Sequence, residues 1–329
     1  MMGTLYIDRK DVEVRADGGA IAFYVEGKRE GLVPIGPLKR VVIVGDVSLR
    51  TSVLHRLAME NVPVAFLSGK RQAFRGMLHG RLHNNAILRC RQYEKHRSAF
   101  AAVFAAELVE RKLRGQCAFL VHAARERPGD RTPLLQCVEA IEKVLTRIRT
   151  ESPALETLRG LEGGAAAAYF KALPVIFPDS LGFRGRTRRP PGDPVNALLS
   201  LTYTLVHFET VREIEVIGLD PCIGYLHEFE YGRESLACDL VEPRRPQVDQ
   251  WVWELFRSRR FTARDFVMDD ERPGCYLKKG ARGRFYPLYE EWAQTWRPQL
   301  VKEVEALARR ILDEKDPVPE REPNDAGEA

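Results

Sequence analysis

Residues 84–116, NNAILRCRQYEKHRSAFAAVFAAELVERKLRGQ, form a long amphipathic stretch whose apolar positions recur with a period near 3.6, with Gly115 as a plausible stop. The same period governs LLQCVEAIEKVLTRIRT, residues 134–150, between Pro133 and Ser152-Pro153. It governs a third helix too, which opens at Asp193-Pro194, an N-cap and first-turn proline, and runs through VNALLSLTYTLVHFETVREIEVI to Gly218. Before Asn84 the period is two. TLYID, VEVRA, AIAFYV, RVVIVG, VPVAFLS and AFRGML are short β-branched and aromatic runs punctuated by Gly18-Gly19, Gly27, Gly36-Pro37 and Gly69, the spacing of hairpins and small sheets. One helix, Thr51–Glu60, interrupts them, with Pro63 soon after its end. The fold class expected is therefore α+β: a β-strand-rich domain over residues 1–83, a larger all-α domain over 84–312, and a Pro- and charge-rich acidic tail, 313–329, expected to be disordered.

The 329 residues, 44% hydrophobic and 29% charged, exclude a disulfide miniprotein, a collagen-like repeat and wholesale disorder. The net charge of +5 conceals an uneven distribution. Of 51 basic and 46 acidic residues, two and seven lie in the tail, so residues 1–312 keep 49 bases against 39 acids and suit a polyanionic partner. The six cysteines, Cys90, Cys117, Cys137, Cys222, Cys238 and Cys275, form no CxxC pair and read as small buried hydrophobes of a reduced cytosol. No apolar run reaches the ~18 residues of a membrane span, so a soluble, cytoplasmic protein with no membrane contact is expected.

Three segments stand out from the helical background. In LEGGAAAAYF, residues 161–170, Glu162 sits beside two glycines and four alanines, so a backbone or a ligand can approach the carboxylate closely; a capping or solvent-facing glutamate is the competing reading. In GLDPCIGYLHEFEYG, residues 218–232, His227 follows a Pro- and Gly-punctuated turn, where it is either a metal ligand or a hydrogen-bonded structural residue. In SLACDLVEPRRP, residues 235–246, Asp239 and Glu242 are spaced to share one face of a helix that Ser235 caps and Pro243 stops. Two close carboxylates favour a nearby positive charge, which a metal or Arg244 and Arg245 can supply; a surface ion-pair network fits equally. Basic residues cluster at Arg81, Arg89, Arg91, Lys95 and Arg97; at Arg184, Arg186, Arg188 and Arg189; at Arg257, Arg259, Arg260 and Arg264; and at Lys278, Lys279, Arg282 and Arg284. The second and fourth clusters read as Gly- or Pro-bearing loops whose long cations can reach a phosphate backbone.

Taken in order, VPIGPLKRVVIVGDVSLRTSVLHRLAMENVPVAFLS, the glutamate near AAYF, RRPPGDPVNALLSLTYTLV, GLDPCIGYLH and DLVE resemble one family over about residues 3–310: the CRISPR-associated integrase and endonuclease of spacer acquisition. The resemblance implies that the helical domain is a metal-dependent catalytic domain. Its ligands would be Glu162, His227 and Glu242, with Asp239 as the neighbouring acidic residue, and together these four would be the catalytic set. Some members carry aspartate where Glu242 stands; glutamate still supplies a hard oxygen. An imidazole with two carboxylates suits Mg2+ or Mn2+. The implied reaction is transesterification, in which the 3′ ends of a short prespacer duplex attack both ends of a CRISPR repeat beside its leader, together with cleavage of branched DNA. The implied assembly is a homodimer formed through the β-rich domain, with two dimers bridged by a small ferredoxin-like adaptation partner. DNA contacts would fall on Arg184, Arg186, Arg188, Arg189, Lys278, Lys279 and Arg282. A hydrolytic repair nuclease using the same ligands, or a DNA-binding scaffold with a silent metal site, are the alternatives.

Overall fold

The computed structural model describes residues 3–69, 72–80, 85–187, 190–268 and 274–313. Arg81, Arg188, Arg189, the expected boundary at 83/84 and the tail beyond Asp313 lie outside these residues.

The N-terminal part is built from β1 (Thr4–Ile7), β2 (Glu13–Asp17), β3 (Ala20–Val25), β4 (Lys28–Pro34), β5 (Arg40–Val44), β6 (Ser48–Leu49), helix α1 (Thr51–Met59), β7 (Val64–Leu67) and β8 (Phe74–Leu78). Two four-stranded sheets result, in the orders β4-β3-β2-β6 and β1-β5-β7-β8. The first is a meander whose β2 also pairs in parallel with β6. The second departs from the hairpins expected: β1, β5 and β7 run parallel, and only β8 is antiparallel. Its centre is RVVIV, buried at every position. An unbroken apolar run is what a strand covered on both faces requires. Val41 and Ile43 face a core shared with Val53 and Leu57 of α1, whereas Val42 and Val44 join the core of the helical part.

The helical part comprises α2 (Ala86–His96), α3 (Ala99–Glu126), α4 (Arg131–Glu151), α5 (Leu155–Ala172), α6 (Pro194–Ile217), α7 (Ser235–Val241), α8 (Arg245–Arg257), α9 (Lys279–Ala293) and α10 (Arg297–Leu312). It is not purely helical, because β9 (Phe266–Met268) pairs antiparallel with β10 (Cys275–Leu277); three-residue strands are too short for a legible alternation. The stretch expected as one helix breaks at Ser98, whose hydroxyl accepts from the Phe100 N–H, and then continues straight through Gly115. Gly115 is a close approach rather than a stop: a Cβ there would lie 3.1 Å from Pro246 Cγ, so its absence lets the start of α8 pack against α3. Helix α6 begins and ends as read, with Asp193 accepting from the Asn196 N–H and Gly218 left-handed at φ 98°. From Lys279 onward KKGARGR is helix rather than loop, forming the first turns of α9. Of the cysteines, Cys137 and Cys275 are buried, Cys117 and Cys238 half-buried, and Cys90 and Cys222 exposed, so the buried reading holds for only some of them.

A buried ionic knot joins the two parts. Arg40 Nη1 at the head of β5 lies 2.5 Å from Glu209 Oε2 on α6, which also accepts from Arg297 Nε at 2.6 Å, while Tyr289 donates to Oε1 at 2.8 Å. Burial alone would raise the Glu209 pKa; the two guanidiniums outweigh it and hold it below the usual range. Among the described residues no helix is long and apolar enough to cross a membrane.

Candidate active site

Four pieces of chain meet where α8 abuts α3: the middle of α3, the middle of α5, the loop after α6, and the turn joining α7 to α8. Pro243 does not end the helix it follows. Glu242–Arg244 is a 3-10 turn whose flanking residues keep right-handed helical angles, so α7 passes almost directly into α8 with Glu242 at the joint. Nor does Ser235 cap α7 with its side chain; its hydroxyl donates to the Glu228 carbonyl at 3.0 Å and fastens the preceding loop.

Asp239 is fully buried, and that loop wraps its carboxylate. The backbone N–H groups of Tyr225 and Leu226 donate to Oδ2 at 2.5 and 2.9 Å, and that of His227 to Oδ1 at 3.0 Å. The His227 ring then donates Nδ1–H to the same Oδ1 at 2.7 Å. An ionised carboxylate accepts and cannot donate, so this bond fixes the proton on Nδ1 and leaves Nε2 as the ring's acceptor. Such close wrapping requires Gly224, where a Cβ would stand 2.7 Å from both Asp239 Oδ2 and the Ser235 carbonyl carbon.

Glu242, 5% exposed, points into a different set of partners. Arg245 Nε donates to its Oε1 at 2.6 Å, and Lys112 Nζ lies 2.5 Å from Oε2. The same Lys112 ammonium donates to Glu162 Oε1. Two of the sequence-identified residues, contributed by α5 and the α7–α8 joint, are therefore held to one buried cation. Burial would raise the Glu242 pKa; Arg245 and Lys112 bring it down to about 2. Burial pulls Lys112 the other way, but Glu242 and Glu162 more than offset it and its pKa ends raised. Of the two arginines expected to balance the carboxylates, only Arg245 does so; Arg244 donates to Leu240 O at 2.9 Å and to Glu303 at 2.7 Å. Beside Glu162, Gly163 and Gly164 are exposed, and added Cβ atoms would meet nothing within 4 Å, so no other element covers α5 at these two positions.

Behind Glu242, the Arg245 guanidinium lies 4.8 Å from the centre of the Tyr203 ring, and Tyr203 and Tyr169 both donate to buried Asp249. Burial pushes Asp249 up to about 6 despite those hydrogen bonds. Sequence reasoning missed Lys112 and Asp249. A signal for the first existed: Lys112 falls among Ala105, Leu108, Val109, Leu113 and Gln116 on the buried stripe of α3, where a charged residue interrupts an otherwise mostly apolar face.

The basic residues divide. Arg184 is 80% exposed, and Lys278 and Lys279 are exposed, although Lys278 Nζ donates to Arg264 O at 2.8 Å. Arg186 is engaged by Asn196 Oδ1 and Ser200 Oγ at 2.9 and 3.2 Å. Arg282 bridges Asp8 and the Gly69 carbonyl, each at 3.1 Å, and so ties α9 to the β-rich part.

The donor set is mixed: two hard carboxylates, and a borderline imidazole with its outer nitrogen available. As packed, no three His, Cys, Asp or Glu side chains among the described residues surround one point, because Lys112 holds the space between the two glutamates. The residue types and the shared cation nevertheless fit a divalent ion. Two carboxylates and an imidazole gathered at one corner of a helical unit are the kind of donor set that a metal-dependent enzyme uses. The family profile described as "CRISPR associated protein Cas1" matches residues 5–291. A CRISPR-associated endonuclease Cas1 of Thermodesulfovibrio yellowstonii is 50% identical over 96% of this chain and 99% of its own. Among solved structures, a casposase bound to an integration product superposes with a TM-score of 0.81 at 20% identity, covering 96% of this chain and 92% of that one. A chain of a Cas6-RT-Cas1–Cas2 complex gives 0.80 at 22%, covering 94% and 35%. The chain belongs to the Cas1 family, and is a CRISPR spacer-acquisition integrase and endonuclease.

Proposed function

We propose that Glu162, His227 and Glu242 hold one divalent ion, Mg2+ or Mn2+, with Asp239 as a positioning residue, and that this site joins the 3′ ends of a short DNA duplex to the ends of a CRISPR repeat. Endonucleases of this family are metal-dependent as a class. The observation that carries the reading is the convergence of Glu162 and Glu242 on a single buried cation, beside an imidazole whose tautomer Asp239 sets. When bound, the ion supplies Lewis-acid polarisation of the scissile phosphate and stabilisation of the leaving oxygen. The chain's own residues do the rest. Asp239 keeps the His227 proton on Nδ1, Arg245 fixes Glu242 by its Oε1, and the open glycine side of α5 leaves room for a DNA backbone. Holding a 3′-hydroxyl in line with the phosphate accounts for the remaining acceleration, since well-oriented groups reach effective molarities of about 10⁵–10⁸ M.

DNA reaches the site over Arg184, Lys278 and Lys279, which are exposed members of the two basic segments. Arg186 and Arg282 support those segments from beneath. The division at residue 83 into a β-rich dimerising domain and a helical catalytic one belongs to this reading, as do the homodimer, the bridging ferredoxin-like partner and a cytoplasmic location. The solved neighbours, one bound to its integration product and one in complex with Cas2, support it. The test is Mn2+ binding and strand transfer by Glu162→Gln, His227→Ala and Glu242→Gln. Each should lose both together, and a variant that joins DNA at the wild-type rate removes its residue from the site.

A further inference from the structure

Lys112 stands at the centre of this site, and the chemistry proposed for the site does not use it. It projects from α3, is 5% exposed, and its Nζ meets Glu162 Oε1 and Glu242 Oε2 at once. Apart from that ammonium, Glu242 Oε2 has no hydrogen-bond partner among the described residues. A lysine is seldom buried unless paired, and two carboxylates from separate helices are seldom brought together without a cation between them.

We propose that Lys112 is the resident cation of the carboxylate pair: it holds Glu162 and Glu242 together until a divalent ion enters and displaces it, and so sets how tightly that ion binds. This rests on the reading that Glu162, His227 and Glu242 are the ligands. The charges support it. Glu162 and Glu242 are balanced by Lys112 and Arg245, so an incoming dication meets a glutamate pair whose charge is already offset by cations in direct contact with it. Removing the ammonium leaves one uncompensated negative charge. It also raises the free energy of the metal-free state by setting two carboxylates against each other. Both effects favour the ion, and charges a few ångströms apart in a partly buried site interact strongly enough to change affinity about tenfold or more. Lys112 thereby becomes a positioning residue that exchanges stability of the empty site for weaker metal binding.

The experiment titrates Mn2+ into the full-length chain, reading free Mn2+ by electron paramagnetic resonance, for wild type, Lys112→Met and His227→Ala, with thermal unfolding in EDTA and in Mn2+ alongside. Lys112→Met should bind Mn2+ at least about tenfold more tightly. It should also melt below wild type in EDTA and recover most of that difference in Mn2+. Equal or weaker Mn2+ binding by Lys112→Met, in a protein whose binding His227→Ala weakens, overturns the Lys112 proposal alone. Binding that His227→Ala leaves unchanged overturns the ligand reading, and the Lys112 proposal with it. If Lys112→Met does not fold in either buffer, the double variant Lys112→Met/Glu162→Gln, which removes one charge of each sign, decides: folding in EDTA supports the resident cation, and failure shows that Lys112 is needed for packing instead.

Discussion

Replacing Asp239 by asparagine exchanges one oxygen for an NH2 group and leaves the shape of the side chain unchanged, yet it should disable the site. The carboxylate accepts four hydrogen bonds, three from backbone N–H groups and one from the His227 ring, at 2.5 to 3.0 Å. An asparagine can place its oxygen toward Tyr225 and Leu226, but its NH2 then confronts the His227 N–H and Nδ1, donor against donor. The ring can accept from that NH2 only by moving its own proton to Nε2, the nitrogen proposed above to face the metal. Hydrogen bonds to a charged group contribute ~1.5–3 kcal/mol each against ~0.5–1.5 for neutral ones, so the loss across four bonds comes to about 4–6 kcal/mol. Loss of an orienting partner of a ligating histidine weakens metal binding or activity a further ~10–100-fold. Urea unfolding reads the first quantity, Mn2+ titration and strand transfer the second, and 15N shifts of the His227 ring the tautomer. Glu242→Gln, which leaves Asp239 and its loop intact, should keep the Nδ1–H tautomer while lowering strand transfer more than Asp239→Asn does. An Asp239→Asn protein within about 1 kcal/mol of wild type and still protonated on Nδ1 would refute the reasoning.

Gly224→Ala places a Cβ 2.7 Å from Asp239 Oδ2 and from the Ser235 carbonyl carbon, so it should cost ~1–3 kcal/mol in urea unfolding and weaken Mn2+ binding through His227; wild-type values for both would show that the loop can yield without consequence. The log-log salt slope of DNA binding should fall by ~0.9 for each phosphate-neutralising cation removed by Arg184→Ala and Lys279→Ala; an unchanged slope in the double variant would make those cations ordinary solvated surface. Asp249, raised to about 6 by burial, binds a proton more tightly folded than unfolded, so its ionisation subtracts from stability as pH rises through that value. Asp249→Asn should therefore gain on wild type by ~1–2 kcal/mol between pH 5 and 7.5, and a difference independent of pH would contradict the shift.

The parts of this fold that are legible in the sequence are those where local chemistry and tertiary packing agree. Asp193-Pro194 and Gly218 bound α6 because the same residues satisfy its end groups, and the unbroken apolar run of β5 reports burial on both faces. Strand β4, KREGLVP, escapes a sequence reading because one face of an edge strand is solvated and its residues are those of a loop. Gly115 suggests a stop because sequence does not reveal Pro246 packing against it from 131 positions away. At the site, small-residue context, turn chemistry and carboxylate spacing single out Glu162, His227, Asp239 and Glu242, and a family resemblance orders them. The need for a cation beside Glu242 is legible too, but the sequence offers Arg244 and Arg245 alike and only the fold separates them. Lys112 stays hidden, since a cation on a helix is ordinarily solvated and only the fold reveals which carboxylates it meets. The same holds for Arg186 and Arg282, which share the sequence context of Arg184 and Lys279 but are engaged within the protein.

The central claim, that this site activates a DNA 3′-hydroxyl rather than water, is tested most directly by blocking that hydroxyl. A short duplex with either 3′-hydroxyl or 3′-deoxy ends is supplied with Mn2+, the proposed ferredoxin-like partner and a supercoiled target carrying a leader and repeat. The account predicts branched, covalently joined products from hydroxyl ends, none from blocked ends, and none in either case with Glu242→Gln. Equal nicking of the target by both duplexes, without joining, would contradict it and assign the chemistry to hydrolysis.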